Sequence, residues 1–310
     1  SGPDFEQPAP ALPEQWRTTA APLSTGNVDE QWWTQFNDAA LNDLVDRALR
    51  ENPQMHIAAL RVAQSRVQRG AVAGSRWPVV NASALYDRER QSEHGVGVRM
   101  IDILAQPANR DQIVEALSEP YDVYQAGFDA AWELDLWGRV RRSLESADAA
   151  LLASGEDLHD VQLTLVAEVV RTYVQLRGVQ DQLRIANADV AASADLVEMT
   201  QYRVKGGIVD ELDLSTQRAR LSQTRSTIPE LEQQQTQLVS ALALLVNASP
   251  GALDAELAQQ AAALQIPASI TGGLPSEVAR RRPDIRRAEA QLHAATAEIP
   301  VSEFAPPPPS

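Results

Sequence analysis

The stretch YQAGFDAAWELDLWGRVRRSLESADAALLAS, residues 124–154, decides the fold. Its first half alternates: Tyr124, Ala126, Phe128, Ala130, Trp132, Leu134 and Leu136 form one unbroken apolar face, while Gln125, Gly127, Asp129, Glu133 and Asp135 fall on the other. A period of two is the mark of a strand, and it predicts one over residues 123–137. After Gly138 the period changes. Leu144, Leu151, Leu158 and Leu165 are spaced by seven, and Val169, Leu176, Leu183, Val190, Val197 and Val204 continue the spacing. Sevenfold spacing keeps an apolar seam on one side of a helix and favours coiled-coil packing. The pattern predicts one helix of about 65 residues, roughly 100 Å long at 1.5 Å per residue, fed by the strand through Gly138 alone.

The predicted strand is longer than the usual five or six or so residues of a soluble sheet. A transmembrane β-strand needs about 9–11 tilted residues, apolar toward lipid, polar toward the lumen, with aromatics near the interfaces. A half-buried strand in a soluble sandwich is the competing reading. The length of the apolar face and the aromatics at both its ends favour the membrane. A second alternating stretch, WPVVNASALYDR at 77–88, places Val80, Ala82, Ala84 and Tyr86 on one face and Asn81, Ser83 and Asp87 on the other, with Leu85 as the exception. Between the two strands, residues 89–119 are polar and glycine-containing and read as a long loop with a short helix near RDQIVEALS.

Outward from this centre the chain is helical. Residues 38–76 carry Leu41, Leu44, Val45, Ala48 and Leu49 on one helical face, interrupted at Pro53. The long helix stops at RVKGGIVDELDL, where Gly206 and Gly207 suit a C-terminal cap and a tight reversal, and Asp210 suits the N-cap of a return helix. That helix runs to about Val246, with Leu214, Leu221, Ile228, Leu231, Leu238 and Leu245 in its seam and a kink expected at Pro229. A turn at NASPGALD and a short helix at 252–264 follow. Residues 1–37, rich in Pro and Ala, read as an extended arm with no core of its own.

Composition narrows the function. With 27 Lys and Arg against 42 Asp and Glu the net charge is -15, which argues against nucleic acid as a partner. The absence of cysteine excludes disulfides, thiolate metal sites and thiol nucleophiles from this chain. His56, His94, His159 and His293 are scattered without an i, i+4 pair, so no metal ligation is expected. Glu133 and Asp135 have the proximity of a catalytic carboxylate pair, but a polar lumen lining is the favoured reading. No phosphate-binding loop of the G-x-x-x-x-G-K-[ST] type and no G-x-S-x-G elbow occurs, so neither ATP hydrolysis nor serine-hydrolase chemistry is expected. The basic run RRRPD at 280–284 reads as a solvated helix start. The chain is not expected to be an enzyme or to hold a cofactor. No run of 18 apolar residues marks a transmembrane helix, and the start SGPDFEQPAP looks like a mature or trimmed terminus.

An internal repeat is present. LVDRALRENPQMHIAALRV (44–62) aligns with LPSEVARRRPDIRRAEAQL (274–292) at an offset of 230, matching Leu44 with Leu274, Arg50 with Arg280, Pro53 with Pro283 and Ala58 with Ala288. So long a period implies two copies of a large unit. At that offset WPVVNASALYD should begin at 307, where only prolines and a serine stand, so the second copy is expected to be cut short and PVSEFAPPPPS to be a non-family tail.

These features resemble the outer-membrane efflux proteins, the outer channel of tripartite RND-type drug exporters, in the branch that often carries an N-terminal lipid. The matching residues are GPDFEQP near the start, Trp32, Trp33 and Phe36, NP at 52–53, WELDLWGRVRRSLESADA at 132–149, LDLSTQRARL at 212–221, LALLVNASPG at 242–251 and RRPDIRRAEAQL at 281–292. The resemblance covers residues 2–299, about the first three-fifths of such a protein, by the family's usual length. It implies a mainly α fold with a small β part: a long coiled-coil hairpin that is a segment of an α-barrel, plus two transmembrane-type β-strands, an incomplete version of the family fold. The implied organisation is an N-terminal arm at 1–37, leading helices of the first repeat at 38–76, barrel strands and an extracellular loop at 77–137, a periplasmic helical hairpin at 138–250, an equatorial segment with the start of the second repeat at 251–299, and the tail at 300–310.

The resemblance further implies a homotrimer in outer-membrane lipid of a Gram-negative bacterium, with a periplasmic adaptor protein and an inner-membrane pump as partners. Gly138 is then the strand–helix junction. Asp129, Glu133 and Asp135 line the lumen, and carboxylates there attract cations. Arg203, Lys205, Gly206, Gly207 and Asp210 form the adaptor-docking periplasmic tip. Ser1 stands where the lipidated branch has a cysteine, so the lipid is expected to be removed or absent. With two strands per protomer instead of four, the alternative is a non-conducting periplasmic coiled-coil interaction protein.

Overall fold

The computed structural model describes residues 2–9, 23–24, 31–90, 92, 95, 110–258, 264, 270–271 and 275–303. In chain order the elements are β1 (Leu23–Ser24), a 3-10 helix (Trp32–Phe36), α1 (Ala39–Glu51), α2 (Pro53–Gly74), β2 (Val79–Glu89), α3 (Arg110–Ser118), β3 (Tyr121–Ala131), α4 (Arg139–Lys205), α5 (Glu211–Ser226), α6 (Ile228–Leu245), α7 (Asp254–Leu257), β4 (Ile270–Thr271), α8 (Pro275–Arg281) and α9 (Pro283–Glu303). They form two compact units, Gly70–Arg141 and Ser1–Arg69 with Arg142–Ser310.

In the larger unit, α1 starts because Asp38 is extended and its Oδ1 accepts hydrogen bonds from the backbone N–H groups of Ala40 (2.9 Å) and Leu41 (3.1 Å). Its buried residues are Leu41, Leu44, Val45 and Ala48, the face the spacing predicts. It ends at Glu51 because the residue before a proline is driven out of the α region. Asn52 is extended there. Its side chain then serves two helices: Oδ1 accepts from the N–H of Gln54, and Nδ2 donates to the carbonyl of Leu245 at 2.8 Å. The same interruption recurs 230 positions later, where α8 ends at Arg281 and α9 begins at Pro283. The repeat is therefore structural as well as sequential.

The core of this unit joins α1 to the middle of α4 (Leu165, Val166, Val169, Val170, Tyr173, Leu176), the end of α6 (Val239, Leu242, Ala243), the following turn (Val246, Leu253) and α7 (Leu257). Every predicted seam residue of α4 is buried or half-buried, and so are those of the return helix. Burial is complete only around Val169–Leu176, where α1 and α6 both pack. The predicted helix of about 65 residues is α4, 67 residues without interruption.

Three expectations are corrected. The N-terminal arm is not devoid of core: Trp33 is buried in it, Trp32 and Phe36 pack against it, and β1 pairs in parallel with β4. Three aromatics within five residues carry enough apolar area to fold a 3-10 turn onto a core. The return helix is not kinked but divided at Thr227, with Pro229 in the first turn of α6, because proline has no N–H to give and its ring clashes with the carbonyl four residues back. The predicted helix at 252–264 is described only as α7, and residues 259–263 lie outside the described residues. The expected boundary at 299–300 falls inside α9, which runs to Glu303, and residues 304–310 of the expected tail lie outside the described residues.

The smaller unit contains an antiparallel sheet of β2 and β3. Its register pairs Val80 with Ala130, Ala82 with Phe128, Ala84 with Ala126 and Tyr86 with Tyr124. Directly paired residues share a face, so the two apolar faces read from the sequence coincide. The strand predicted at 123–137 is shifted to Tyr121–Ala131. Pairing ends where Ala131 meets Val79, because Pro78 has no N–H to extend the ladder. Residues 132–138 therefore form a connector, and Gly138 is not the sole spacer between strand and helix. The expected short helix is α3, while residues 91, 93–94 and 96–109 of the expected extracellular loop lie outside the described residues.

Candidate functional site

Three places carry the sequence-predicted residues: the sheet, the connector and the helical tip. In the sheet, all but two of the 22 strand residues are exposed, and those two are half-buried. Phe128, in the middle of the apolar face, is 86 % exposed. The opposite face carries Asn81, Ser83, Gln125 and Asp129, and the Asn81 amide donates to the Asp129 carboxylate at 2.9 Å. Among the described residues neither face has a packing partner within the unit, and each strand has one unpaired edge.

Of the three predicted lumen carboxylates, only Asp129 lies in a strand. Glu133 and Asp135 belong to the connector, where local bonds engage them. Arg139 donates to both oxygens of Glu133, its Nε at 2.9 Å from Oε1. Those hydrogen bonds hold the exposed Glu133 carboxyl below the usual carboxylate range. Asp135 caps α4: its two oxygens accept from the N–H groups of Val140 and Arg141, each at 3.0 Å. An acidic cap at a helix N-terminus satisfies orphan donors and complements the helix dipole. Gly138 has φ +81°, in the left-handed region that lets the connector turn into α4.

At the tip the structure brings the predicted residues together. The N–H of Ile208 donates to the carbonyl of Arg203, and that of Gly207 to the carbonyl of Val204, both at 2.9 Å. With Gly207 at φ +69° this is a Schellman cap. Asp210 then starts α5, its carboxylate accepting from the N–H of Asp213 at 2.9 Å. Arg203, Lys205, Gly206, Gly207 and Asp210 are all exposed, and beside them Tyr202, Ile208 and Leu212 expose large apolar side chains. Lys205 Nζ lies 5.7 Å from the Tyr202 ring centroid. Replacing Gly207 by alanine is expected to cost about 1 kcal/mol, since a Cβ there meets no neighbour but the left-handed backbone is disfavoured. Amide exchange should quicken at residues 206–208 and stay unchanged in α1; equal exchange in both proteins would show that the cap does not hold the reversal.

Sequence reasoning missed a polar network in the core. Tyr173 OH donates to Asp38 Oδ2 at 2.7 Å, and Arg177 Nη2 donates to the Tyr173 oxygen at 2.8 Å. Arg177 also bonds Gln180 Oε1, and Gln180 donates to the carbonyl of Leu257, each at 2.7 Å. Only Asp38 had a local signal, its N-cap position ahead of an apolar run. Among the described residues no group of His, Asp and Glu is placed to hold a metal ion; His94 lies outside them. No described helix is long and apolar enough to cross a membrane, which says nothing of strands.

A family model described as outer membrane efflux protein matches residues 44–248. The pyoverdine export outer membrane protein OpmQ of Pseudomonas aeruginosa is 30 % identical over 296 residues, covering 95 % of this chain and 59 % of OpmQ. Outer membrane protein OprJ of the same species is 30 % identical over 301 residues, covering 96 % and 59 % respectively. Among solved structures, that of the outer-membrane channel OprN is similar with a TM-score of 0.79 and 33 % identity, covering 98 % of this chain and 64 % of OprN. The chain thus spans 59 % of the length of each of these two sequence relatives.

Proposed function

The chain belongs to the outer membrane efflux protein family, and from that premise we propose that it is the outer-membrane channel component of a tripartite efflux pump. It serves as a passive conduit for small molecules across the outer membrane and periplasm of a Gram-negative bacterium, and not as an enzyme. The carrying observation is the β2–β3 sheet: two 11-residue strands, one face apolar, the other polar, both without a packing partner among the described residues. In water such a face is a liability. In a membrane barrel it is the requirement, with lipid on one side and a wet lumen on the other.

Unpaired strand edges are not tolerated in hydrocarbon. Closed single-chain barrels have about eight strands or more, so β2 and β3 pair with strands beyond their own hairpin; three copies of the hairpin bring only six, and a shared barrel in a homotrimer closes with the further strand pair that a second copy of the repeated unit adds. The long helices α4, α5 and α6 then supply periplasmic tunnel wall. The exposed cap at Arg203, Lys205, Gly206, Gly207 and Asp210 is the surface for a periplasmic adaptor, which links the channel to an inner-membrane pump. Asp129 is the lumen carboxylate, with Glu133 and Asp135 committed to the connector.

The test is single-channel recording of the chain in planar lipid bilayers. Discrete steps with cation preference are expected, and Asp129→Asn should lower that preference while leaving the steps in place. A silent bilayer, with folded helical protein demonstrably present, would overturn the channel reading.

A further inference from the structure

The segments that leave the sheet at the end where Val79 pairs with Ala131 carry three tryptophans: Trp77 just before β2, Trp132 just after β3, and Trp137 near the end of the connector. They are 73 %, 58 % and 69 % exposed. The Trp132 indole N–H donates to the backbone carbonyl of Arg76 at 3.2 Å, so one tryptophan bridges the two strand ends. The same segments carry three arginines. Arg139 is taken by Glu133, but Arg76 and Arg141 are exposed, and among the described residues neither guanidinium is ion-paired. The Arg141 guanidinium lies over Gly138, with Nη2 3.1 Å from where a Cβ would stand. The bare glycine, next in sequence to Trp137, therefore leaves room for that cation as well as permitting the turn. Two unpaired cations are notable in a chain of net charge -15.

The other end of the apolar face is closed by Tyr86 and Tyr124, whose ring centroids are 5.1 Å apart. From Trp132 to Tyr124 the strand covers roughly 26 Å at about 3.3 Å per residue, comparable to the apolar band of about 25 Å in membrane barrels. Indoles settle where hydrocarbon meets headgroup. A guanidinium binds phosphate through a planar fork of donors.

We infer that this collar is a phospholipid-binding site: Trp77, Trp132 and Trp137 lie at the acyl–headgroup boundary of the periplasm-facing leaflet, and Arg76 and Arg141 take the phosphates of its lipids. The inference rests on the membrane reading above. It adds a ligand class and two cationic residues, and gives Gly138 a second task. The lipid is preferred over a free anion because the cations are framed by exposed indoles, which an inorganic ion leaves in water.

The experiment is flotation of the chain with phosphatidylcholine vesicles containing increasing phosphatidylglycerol, alongside tryptophan quenching by lipids brominated at headgroup-proximal or mid-chain positions. Affinity should rise with phosphatidylglycerol despite the chain's net charge, and collar emission should be quenched best by headgroup-proximal bromine. The double variant Arg76→Gln, Arg141→Gln should lose about thirty-fold in affinity for the phosphatidylglycerol vesicles. The pair Arg218→Gln, Arg220→Gln, exposed on α5, removes the same charge elsewhere and should lose none of it. Phe128→Trp places a probe within the strand for mid-chain bromine. If that probe is quenched while the collar double variant binds like wild type, the collar is overturned and the membrane reading stands. If it is unquenched, the membrane reading falls, and the collar with it. Release of wild type by inorganic phosphate at matched ionic strength would reassign the cations to a free anion and overturn the lipid.

Discussion

Phe128→Arg is expected to abolish stable insertion into lipid vesicles while leaving the helices folded. Phe128 pairs with Ala82 near the middle of β3 and is 86 % exposed. An arginine on the lipid face of a barrel at the bilayer midplane costs about 2–4 kcal/mol per site. In a homotrimer the change is made three times, so the total is about 6–12 kcal/mol, comparable to the whole stability of a domain. The control is Gln125→Arg, three residues away on the polar face, which should insert almost as well as wild type. The measurement is the fraction of protein that floats with vesicles and resists protease, with helix content followed by circular dichroism. A soluble sandwich predicts another pattern, since there an arginine for phenylalanine would wreck a core in water and leave no difference in lipid. Equal insertion by Phe128→Arg and wild type would remove the apolar face from the bilayer.

What the sequence disclosed depended on whether the physics was local. The faces of β2 and β3 were legible because alternation is a property of a single strand, and the register merely brought two readings into coincidence. The end of β3 was not. Trp132, Leu134 and Leu136 continue the alternation, but a strand needs a partner, and Pro78 denies the ladder its next donor. Glu133 and Asp135 leave the strand for the same reason: once pairing stops, Asp135, four residues before α4, takes the orphan donors at the helix start, and Glu133, six residues before it, takes the Arg139 side chain. The tip was fully legible because Gly206, Gly207 and Asp210 act within a single turn of chain. The heptad seam fixed which side of α4 faces inward, but not that Val169–Leu176 would be covered twice, which depends on α1 and α6 arriving at one height. Trp33 was hidden in an arm whose proline content suggested no packing at all. Nothing local links Asp38 to Tyr173, which are 135 residues apart.

That pair carries the second large expectation. Asp38 does two jobs with one carboxylate: Oδ1 caps α1 through Ala40 and Leu41, and Oδ2 accepts from Tyr173 OH, which is 0 % exposed. Asp38→Ala should cost about 2–4 kcal/mol, the sum of a lost cap and a buried hydroxyl left without its acceptor. Tyr173→Phe should cost about 1–3 kcal/mol, because Asp38 Oδ2 then loses its buried donor and Arg177 one of its acceptors. The double variant should fall short of the sum by about 0.5–3 kcal/mol, as groups in one network do, and Asp38→Asn, which keeps an N-cap, should sit between. Alkaline pH offers an independent reading. Burial, and next the hydrogen bond to Asp38, push the Tyr173 hydroxyl up from 10.0 to about 12. A pKa raised in the folded state favours the protonated form there, so this contribution is fully present below pH 10 and drains away as pH climbs toward about 12. About two pKa units correspond to about 3 kcal/mol. Urea unfolding at pH 9 and at pH 11.5 should therefore show a steep loss for wild type and a much shallower one for Tyr173→Phe. Parallel losses in the two proteins would mean that Tyr173 does not hold its proton for the core, and that the network ties α1 to α4 by shape alone.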